Sequence, residues 1–559
     1  MNKKIAKLLS IVIAIVLLIG IFSGCTQKQT GGEVNLTDSP KPSASSQPEE
    51  PPADVVKEDV TLTSFYGPPN VAIGSIIGND PDKAPREIEF KKLFKGKYGY
   101  NINYEYIFCG QDEVHTKLQI LASGGDLPDL FPAVHEWYPG GPSKAALDGV
   151  ILNFMDREEK IPNIISLLDS TPMLAKSMRN DDGGLYCMGD IRTDPMSAIF
   201  FGPVIRKDLL EKAELPIPET MDEWYTALLA FKEQGIPTPL SGMTWFWHYC
   251  NAFAGAWDAT GIPAPDGGTS LVIDDNDNVV YGCATPGYKE FLTTFNKWYK
   301  EGLLDLDGIT SGDWGAYNTK LLTQKAAAGV HFLAELGMID NDGRKEDPDF
   351  HLVAAQYPVL NKGEQPRMGQ WDSMGLRNGS YVNAKSENID ACLDVIDLVY
   401  SEEGIMIANY GVLGKTYNMV DNKPEFTDYI VFDGETNVDG LTANQVQTLY
   451  CGGGSVILPD VWYMGNTKTQ EEKNAIPLWD DVQRPAKELI NISFTEEETE
   501  MAKKRVDLDT YVAEQYISFI TGNRSLDEFD EYVNTLKTQF KMDEVVQVYQ
   551  DAYTRYKNR

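Results

Sequence analysis

Short apolar runs alternate with capped amphipathic helices along most of this 559-residue chain, and that alternation restricts the fold more than any other feature. Thr61-Leu62-Thr63-Ser64-Phe65-Tyr66 reads as a strand stopped by Gly67-Pro68-Pro69. Val114, Leu118 and Leu121 share a helical face before Gly124-Gly125, and Pro128-Asp129-Leu130-Phe131 reads as a buried strand leading into a loop from His135 to Pro139. Thr220 with Glu223 forms a capping box ahead of Met221, Trp224, Tyr225 and Leu228, with Gly235 as the stop. Thr285-Pro286 opens a helix whose inner stripe is Tyr288, Phe291, Leu292, Phe295 and Trp298, and Gly302 lies past its end. Ser386 precedes a further helix, with Ile389, Cys392, Leu393, Ile396 and Val399 at helical spacing. The boxes Thr495/Glu498 and Ser525/Glu528 begin a helical C-terminal region. Single cores stop growing at about 250–300 residues, so the expectation is at least two α/β lobes with mostly parallel sheets.

The N-terminal residues address the compartment. Lys3, Lys4 and Lys7 precede an apolar run from Leu8 to Phe22, which at about fifteen residues is short for a bilayer span. Ser23 and Gly24 then lead into Cys25, an arrangement that resembles a bacterial lipoprotein signal, in which cleavage leaves the cysteine first and a lipid is attached to its sulfur. Phe22 departs from the leucine usual in such signals, and an uncleaved membrane anchor is the alternative. Residues 26–58 carry prolines at 40, 42, 48, 51 and 52 and no aromatic residue, so they read as a disordered tether spanning about 30 Å. Both readings put the body outside the cytoplasm, on the extracellular face of the cell membrane.

Charge and chemistry narrow the classes further. A net charge of -34 repels phosphate backbones and argues against nucleic-acid partners. The seven cysteines contain no C-x-x-C pair, and beyond Cys25 they remain either free thiols or a disulfide set that spacing cannot rank. There is no G-x-S-x-G, P-loop, H-E-x-x-H or G-x-G-x-x-G motif. Asp274-Asp275-Asn276-Asp277-Asn278 lacks the glycine of a calcium loop and reads as a hairpin turn between Leu271-Val272-Ile273 and Val279-Val280-Tyr281. The five histidines, at 115, 135, 248, 331 and 351, show no ligand spacing, and His115 reads as an ordinary helical residue. No catalytic residue, metal or cofactor is therefore assigned.

Aromatic residues stand out in places where core periodicity does not call for them. Trp245-Phe246-Trp247 lies between turn signals, Trp137 and Trp371 sit in Gly/Pro/Asp-rich surroundings, and Trp314 stands at a helix start. Indole faces in loops suit the flat C–H arrays of sugar rings, while Asp, Glu or His groups fix the hydroxyls. Burial in the core is the competing reading for each of these tryptophans.

Several stretches follow one another in a fixed order. Ala122-Ser123-Gly124-Gly125-Asp126-Leu127-Pro128-Asp129-Leu130-Phe131 is followed by Gly184-Leu185-Tyr186, then by Ile205-Arg206-Lys207-Asp208-Leu209-Leu210-Glu211-Lys212-Ala213 and Pro218 to Trp224. Tyr299-Lys300-Glu301-Gly302-Leu303-Leu304 and the stretch from Ser401 to Tyr417 come later. In this order the motifs resemble those of family 1 extracellular solute-binding proteins, in the large lipoprotein branch. The resemblance implies a two-lobed α/β fold of the type II periplasmic-binding-protein kind, with a hinge and an interlobe cleft. It places lobe one at 59–190 plus 365–475 and lobe two at 191–364 plus 476–559. It also implies a monomer that captures an oligosaccharide and delivers it to the permease subunits of an ABC importer. The calcium loop common in the branch for acidic oligosaccharides would follow the helix at 221–234, where Phe231 to Pro237 has no Asp-rich ligands. The expected ligand-binding residues are Tyr66, His135, Glu136 and Trp137 from lobe one and Trp245, Trp247 and Trp314 from lobe two. Trp371, Asp372 and Tyr417 are expected near the crossover. A secreted glycosidase and a surface glycan sensor are the alternatives.

Overall fold

A computed structural model describes residues 58–78, 80–192, 199–242, 252–260, 270–307, 314–370, 375, 379–432, 436–451, 456–458, 469–483, 489 and 492–559. The chain first lays down β1 (Val60–Gly67), β2 (Ile102–Phe108), β3 (Leu130–Phe131) and β4 (Ile191–Arg192). It continues with β5 (Phe201–Arg206), β6 (Leu240–Ser241), the hairpin β7 (Leu271–Ile273) and β8 (Val279–Tyr281), β9 (Leu304–Asp305), β10 (Ala328–Phe332) and β11 (Leu352–Ala354). Then come β12 (Tyr381–Val382), the hairpin β13 (Tyr417–Val420) and β14 (Lys423–Phe426), and β15 (Val456–Ile457). Four strands form one sheet in the order β12-β3-β1-β2, and five form another in the order β11-β5-β10-β6-β9.

Each sheet has its own core. Leu62, Phe94, Ile102, Leu130, Ile164, Leu393 and Val456 belong to one buried cluster, drawn from residues 62–191, 382–400 and 456. Phe201, Trp224, Leu240, Phe295, Val330, Trp479 and Tyr516 belong to the other, drawn from residues 199–357 and 475–556. The molecule is thus two-lobed, and the chain passes between the lobes three times. The passages are after β4, before β12, and between β15 and the helix Gln470–Asp480. That helix buries Ala475, Ile476 and Trp479 in the second core, so the boundary expected at 475 falls inside it.

The sheets are less parallel than expected. β1 pairs in parallel with β2 and β3, and β6 with β10 and β9, but β12 runs against β3 and β5 runs against both β10 and β11. The exceptions have one physical origin. β5 and β12 are the strands laid down directly after a passage, so each enters its sheet from the side of the other lobe, opposite to the strands built by helical crossovers.

Local signals formed as read. The Thr220/Glu223, Thr495/Glu498 and Ser525/Glu528 boxes all close, each cap being a contribution of about 1 kcal/mol. Helix Pro286–Lys300 buries the expected stripe, and β7 and β8 pair about Asp274, whose Oδ1 accepts from Asn276 and Asn278 backbone amides at 2.9 and 2.8 Å. Cys109, Cys392 and Cys451 are free thiols. Burial pushes the Cys451 thiol up to about 12, which leaves it a packing residue at neutral pH.

Candidate functional site

Strand direction locates the face where the lobes meet. β12 begins just after the second passage and pairs Tyr381 with Phe131, so the carboxyl ends of β3, β1 and β2 point toward the passages. β5 begins just after the first passage and pairs Phe201 with Phe332, so the carboxyl ends of β10, β6 and β9 point the same way. Open α/β sheets bind ligands outside the carboxyl ends of their strands. Both carboxyl edges therefore border the interlobe cleft, and their loops are the candidate site.

The passages are stitched together beside this face. Gln370, fully buried before the second passage, accepts a bond from the Phe200 backbone amide after the first at 2.8 Å. Met188 and Ser380 form a bridge, and the approach is so close that a Cβ at Gly379 would lie 1.4 Å from the Met188 carbonyl oxygen. Only glycine fits there.

On the first lobe, Tyr66 is the penultimate residue of β1 and 37% exposed, its ring edge-on to Tyr106 at 5.5 Å and tilted against Phe108 at 5.2 Å. Beyond β3, Ala133 takes φ 64° and turns the chain into a short helix, Val134–Trp137, where a loop was expected. Its consequence is a division of roles between neighbours. Trp137 turns inward, 5% exposed, packing on Phe131 and Tyr138 and donating to the Pro132 carbonyl at 3.3 Å. It takes the core reading rather than offering an open indole face.

His135 and Glu136 remain half exposed. Glu136 Oε2 lies 2.6 Å from His115 Nε2, and its Oε1 lies 3.3 Å from His135 Nε2. His115 comes from the first turn of the helix Val114–Gly124, which follows β2, so two loops at the carboxyl edge converge on one carboxylate. The bond from His135 holds the Glu136 carboxyl below the usual range, burial opposes it, and the charges of both imidazoles assist. His115, read from sequence as ordinary, is thus part of the candidate site; twenty residues separate it from its partners, and no local pattern marks that meeting.

The second lobe presents a more ionic edge. Lys320, on the helix Trp314–Leu322, pairs with Asp305 at the end of β9 and lies 3.5 Å from Asp307. Ser241, ending β6, donates to Asp305 at 3.4 Å, and Asn318 donates to Glu335 at 2.7 Å. Phe200 and Phe332 stack 6.1 Å apart beside the passages. Trp314 opens its helix at this edge, but its side chain lies outside the described residues, as do Trp245, Trp247, Trp371 and Asp372. Tyr417 is 8% exposed on β13 and packs on Tyr410 at 5.5 Å in a small separate cluster that includes Leu458, just before the third passage. Cys25 also lies outside the described residues.

Known proteins share this architecture. The family model described as "Bacterial extracellular solute-binding protein" matches residues 81–406. The chain is 24% identical over 481 residues to the fructooligosaccharide ABC transporter substrate-binding protein FusA of Streptococcus pneumoniae, covering 80% of this chain and 84% of that protein. It is 23% identical over 455 residues to the lipoprotein LipO of Bacillus subtilis, covering 76% and 81%. A solute-binding protein from Bifidobacterium longum infantis, described as binding HMO and associated with an ABC transporter, has the same fold. Its TM-score is 0.69 at 15% identity, over 89% of this chain and 99% of that one.

Proposed function

The chain belongs to the bacterial extracellular solute-binding proteins, and from that premise we propose that it captures an oligosaccharide in the interlobe cleft and hands it, unaltered, to the permease of an ABC importer. In this reading a lipid on Cys25 and the tether of residues 26–58 hold the body at the outer face of the membrane, free to turn. Relatives named as substrate-binding or sugar-binding proteins, among them one named for a fructooligosaccharide, support this reading over a glycosidase.

The observation that carries it is the Glu136 carboxylate, half exposed at the carboxyl edge of the first lobe and already bonded on both oxygens. Such a group accepts sugar hydroxyls without having to be ordered first, and the partly open ring of Tyr66, near the end of β1 on the same edge, offers a stacking face. A ligand shifts the open–closed equilibrium only through contacts that differ between the two states, so the opposite wall must contribute as well. We assign that role to Trp245, Trp247 and Trp314, with Trp371 and Asp372 at the second passage and Tyr417 beside the third.

The test is a binding panel of kestose, stachyose, maltotetraose and trigalacturonate, read by thermal shift and then by calorimetry. A ligand at 100 times its Kd raises stability by about 2.7 kcal/mol. Glu136→Ala should weaken the selected glycan more than tenfold, about 1.4 kcal/mol. Shortened glycan products would overturn the transport reading, and unchanged affinity in Glu136→Ala would move the site elsewhere.

A further inference from the structure

We propose that His115 and Tyr381 are positioning residues that fix the Glu136 carboxylate for its ligand, acting from two elements outside the segment that carries it. The inference rests on the reading of Glu136 as a ligand contact. Tyr381 is fully buried where β12 pairs with Phe131, and its hydroxyl lies 3.5 Å from His135 Nδ1. His135 carries a proton on Nε2 both as an imidazolium and as the neutral tautomer whose Nδ1 accepts from the phenol, and Nε2 is the nitrogen that faces Glu136 Oε1 at 3.3 Å. His115 Nε2 faces the other oxygen at 2.6 Å.

A carboxylate offers about four lone-pair sites. The two imidazoles occupy one on each oxygen, which sets both the plane and the rotation of the group and leaves one site on each oxygen for ligand hydroxyls. Glutamate otherwise loses side-chain freedom when a ligand orders it, and that cost lowers affinity. Here it is met in the free protein. The arrangement also sets a preference: the open lone pairs of a held carboxylate accept hydrogens, which suits the hydroxyls of a sugar.

His115 is half exposed and outside the core, so its replacement should leave folding intact. Calorimetry with the glycan selected from the panel should show His115→Ala weakened three- to tenfold, and His115→Gln, which returns a side-chain N–H to the same region, restored to within twofold. In a Glu136→Ala background, His115→Ala should have no further effect, whereas a merely structural role would give the same loss in both backgrounds. Tyr381→Phe should weaken binding in the native chain and not in the Glu136→Ala variant. Loss in Glu136→Ala with no loss in His115→Ala overturns the positioning role alone. Unchanged affinity in Glu136→Ala, or no binding by any glycan of the panel, overturns the site reading on which it stands.

Discussion

Replacing Asp181 with alanine should loosen the C-terminal helix from the first lobe without unfolding either core. Asp181 follows the helix Pro172–Met178, whose Leu174 and Met178 belong to the first core. Arg555 and Arg559 flank the end of the helix Met542–Lys557, whose Tyr553 and Tyr556 belong to the second. Arg555 Nε lies 2.8 Å from one Asp181 oxygen and Arg559 Nη2 lies 2.6 Å from the other. An exposed pair contributes ~0.2–1 kcal/mol, and breaking a buried one costs about 3–5. This cluster falls between: the Asp181 side chain is 24% exposed and that of Arg559 is 9%. Neither arginine is stranded by the change, because Arg555 keeps Glu498, and Arg559 keeps the Arg179 carbonyl at 2.7 Å and the Ser493 hydroxyl at 2.6 Å. The expected loss is therefore about 2 kcal/mol, which accelerates local opening roughly thirty-fold. Backbone hydrogen exchange across residues 542–557 measures it directly. The pH dependence supplies a second check. Burial by itself would raise the Asp181 carboxyl, but the bonds and charges of the two arginines outweigh it and hold it low. A depressed carboxyl stabilises above its ordinary value and loses that contribution as pH falls through the folded value, below about 4. Native protein and Asp181→Ala should accordingly differ at pH 7 and converge only as pH falls through the depressed folded value. Equal exchange rates at pH 7 would show that the ion cluster does not hold the helix.

The Gly202→Ala variant should destabilise the second lobe by about 3 kcal/mol, because its Cβ would lie 2.1 Å from the fully buried Trp479 ring, and urea unfolding should show part of the loss recovered by pairing it with Trp479→Leu. Asp509 predicts a second pH effect, of opposite sign to that of Asp181: burial pushes its carboxyl up to about 6, against the Arg505 charge and the bonds from Tyr281 and Ser270. Its contribution is fully present below about pH 4 and is lost as pH rises through 6, so Asp509→Asn should gain thermal stability relative to the native chain across that window, and parallel melting profiles would refute the assignment.

What the sequence made legible is what is decided within a few residues. Thr220 and Glu223 satisfy each other's backbone amides three positions apart, and Asp274 closes its own hairpin, so both patterns carry their geometry with them. Trp137 shows where that ends. Its Gly/Pro surroundings read as loop, yet a single left-handed turn at Ala133 winds the next four residues into a helix and sends the indole inward while its neighbour Glu136 faces out. A one-residue rotation separates a stacking platform from a core residue, and composition does not encode it. The direction of β5 and β12 was hidden for a related reason, since it depends on which lobe the chain has just left rather than on the strand itself.

The same logic explains why the candidate site was only half visible. Glu136 and His135 are adjacent and could be named together, but His115 and Tyr381 reach them from a helix after β2 and from a strand laid down after the second passage. The fold requires that wide separation. A cleft between two lobes is bounded by the loops at the carboxyl edges, and those loops come from strands separated by whole helices, and in the case of β12 by the entire excursion through the other lobe. Any carboxylate held from two directions in such a cleft is therefore held by residues far apart in the chain. The holding residues also tolerate change less visibly than the carboxylate does, because a donor of the same reach can replace an imidazole while nothing apolar can replace the acceptor. Glutamine at position 115 should accordingly be compatible with binding where alanine at 136 is not, and that asymmetry distinguishes a contact with the ligand from the support behind it.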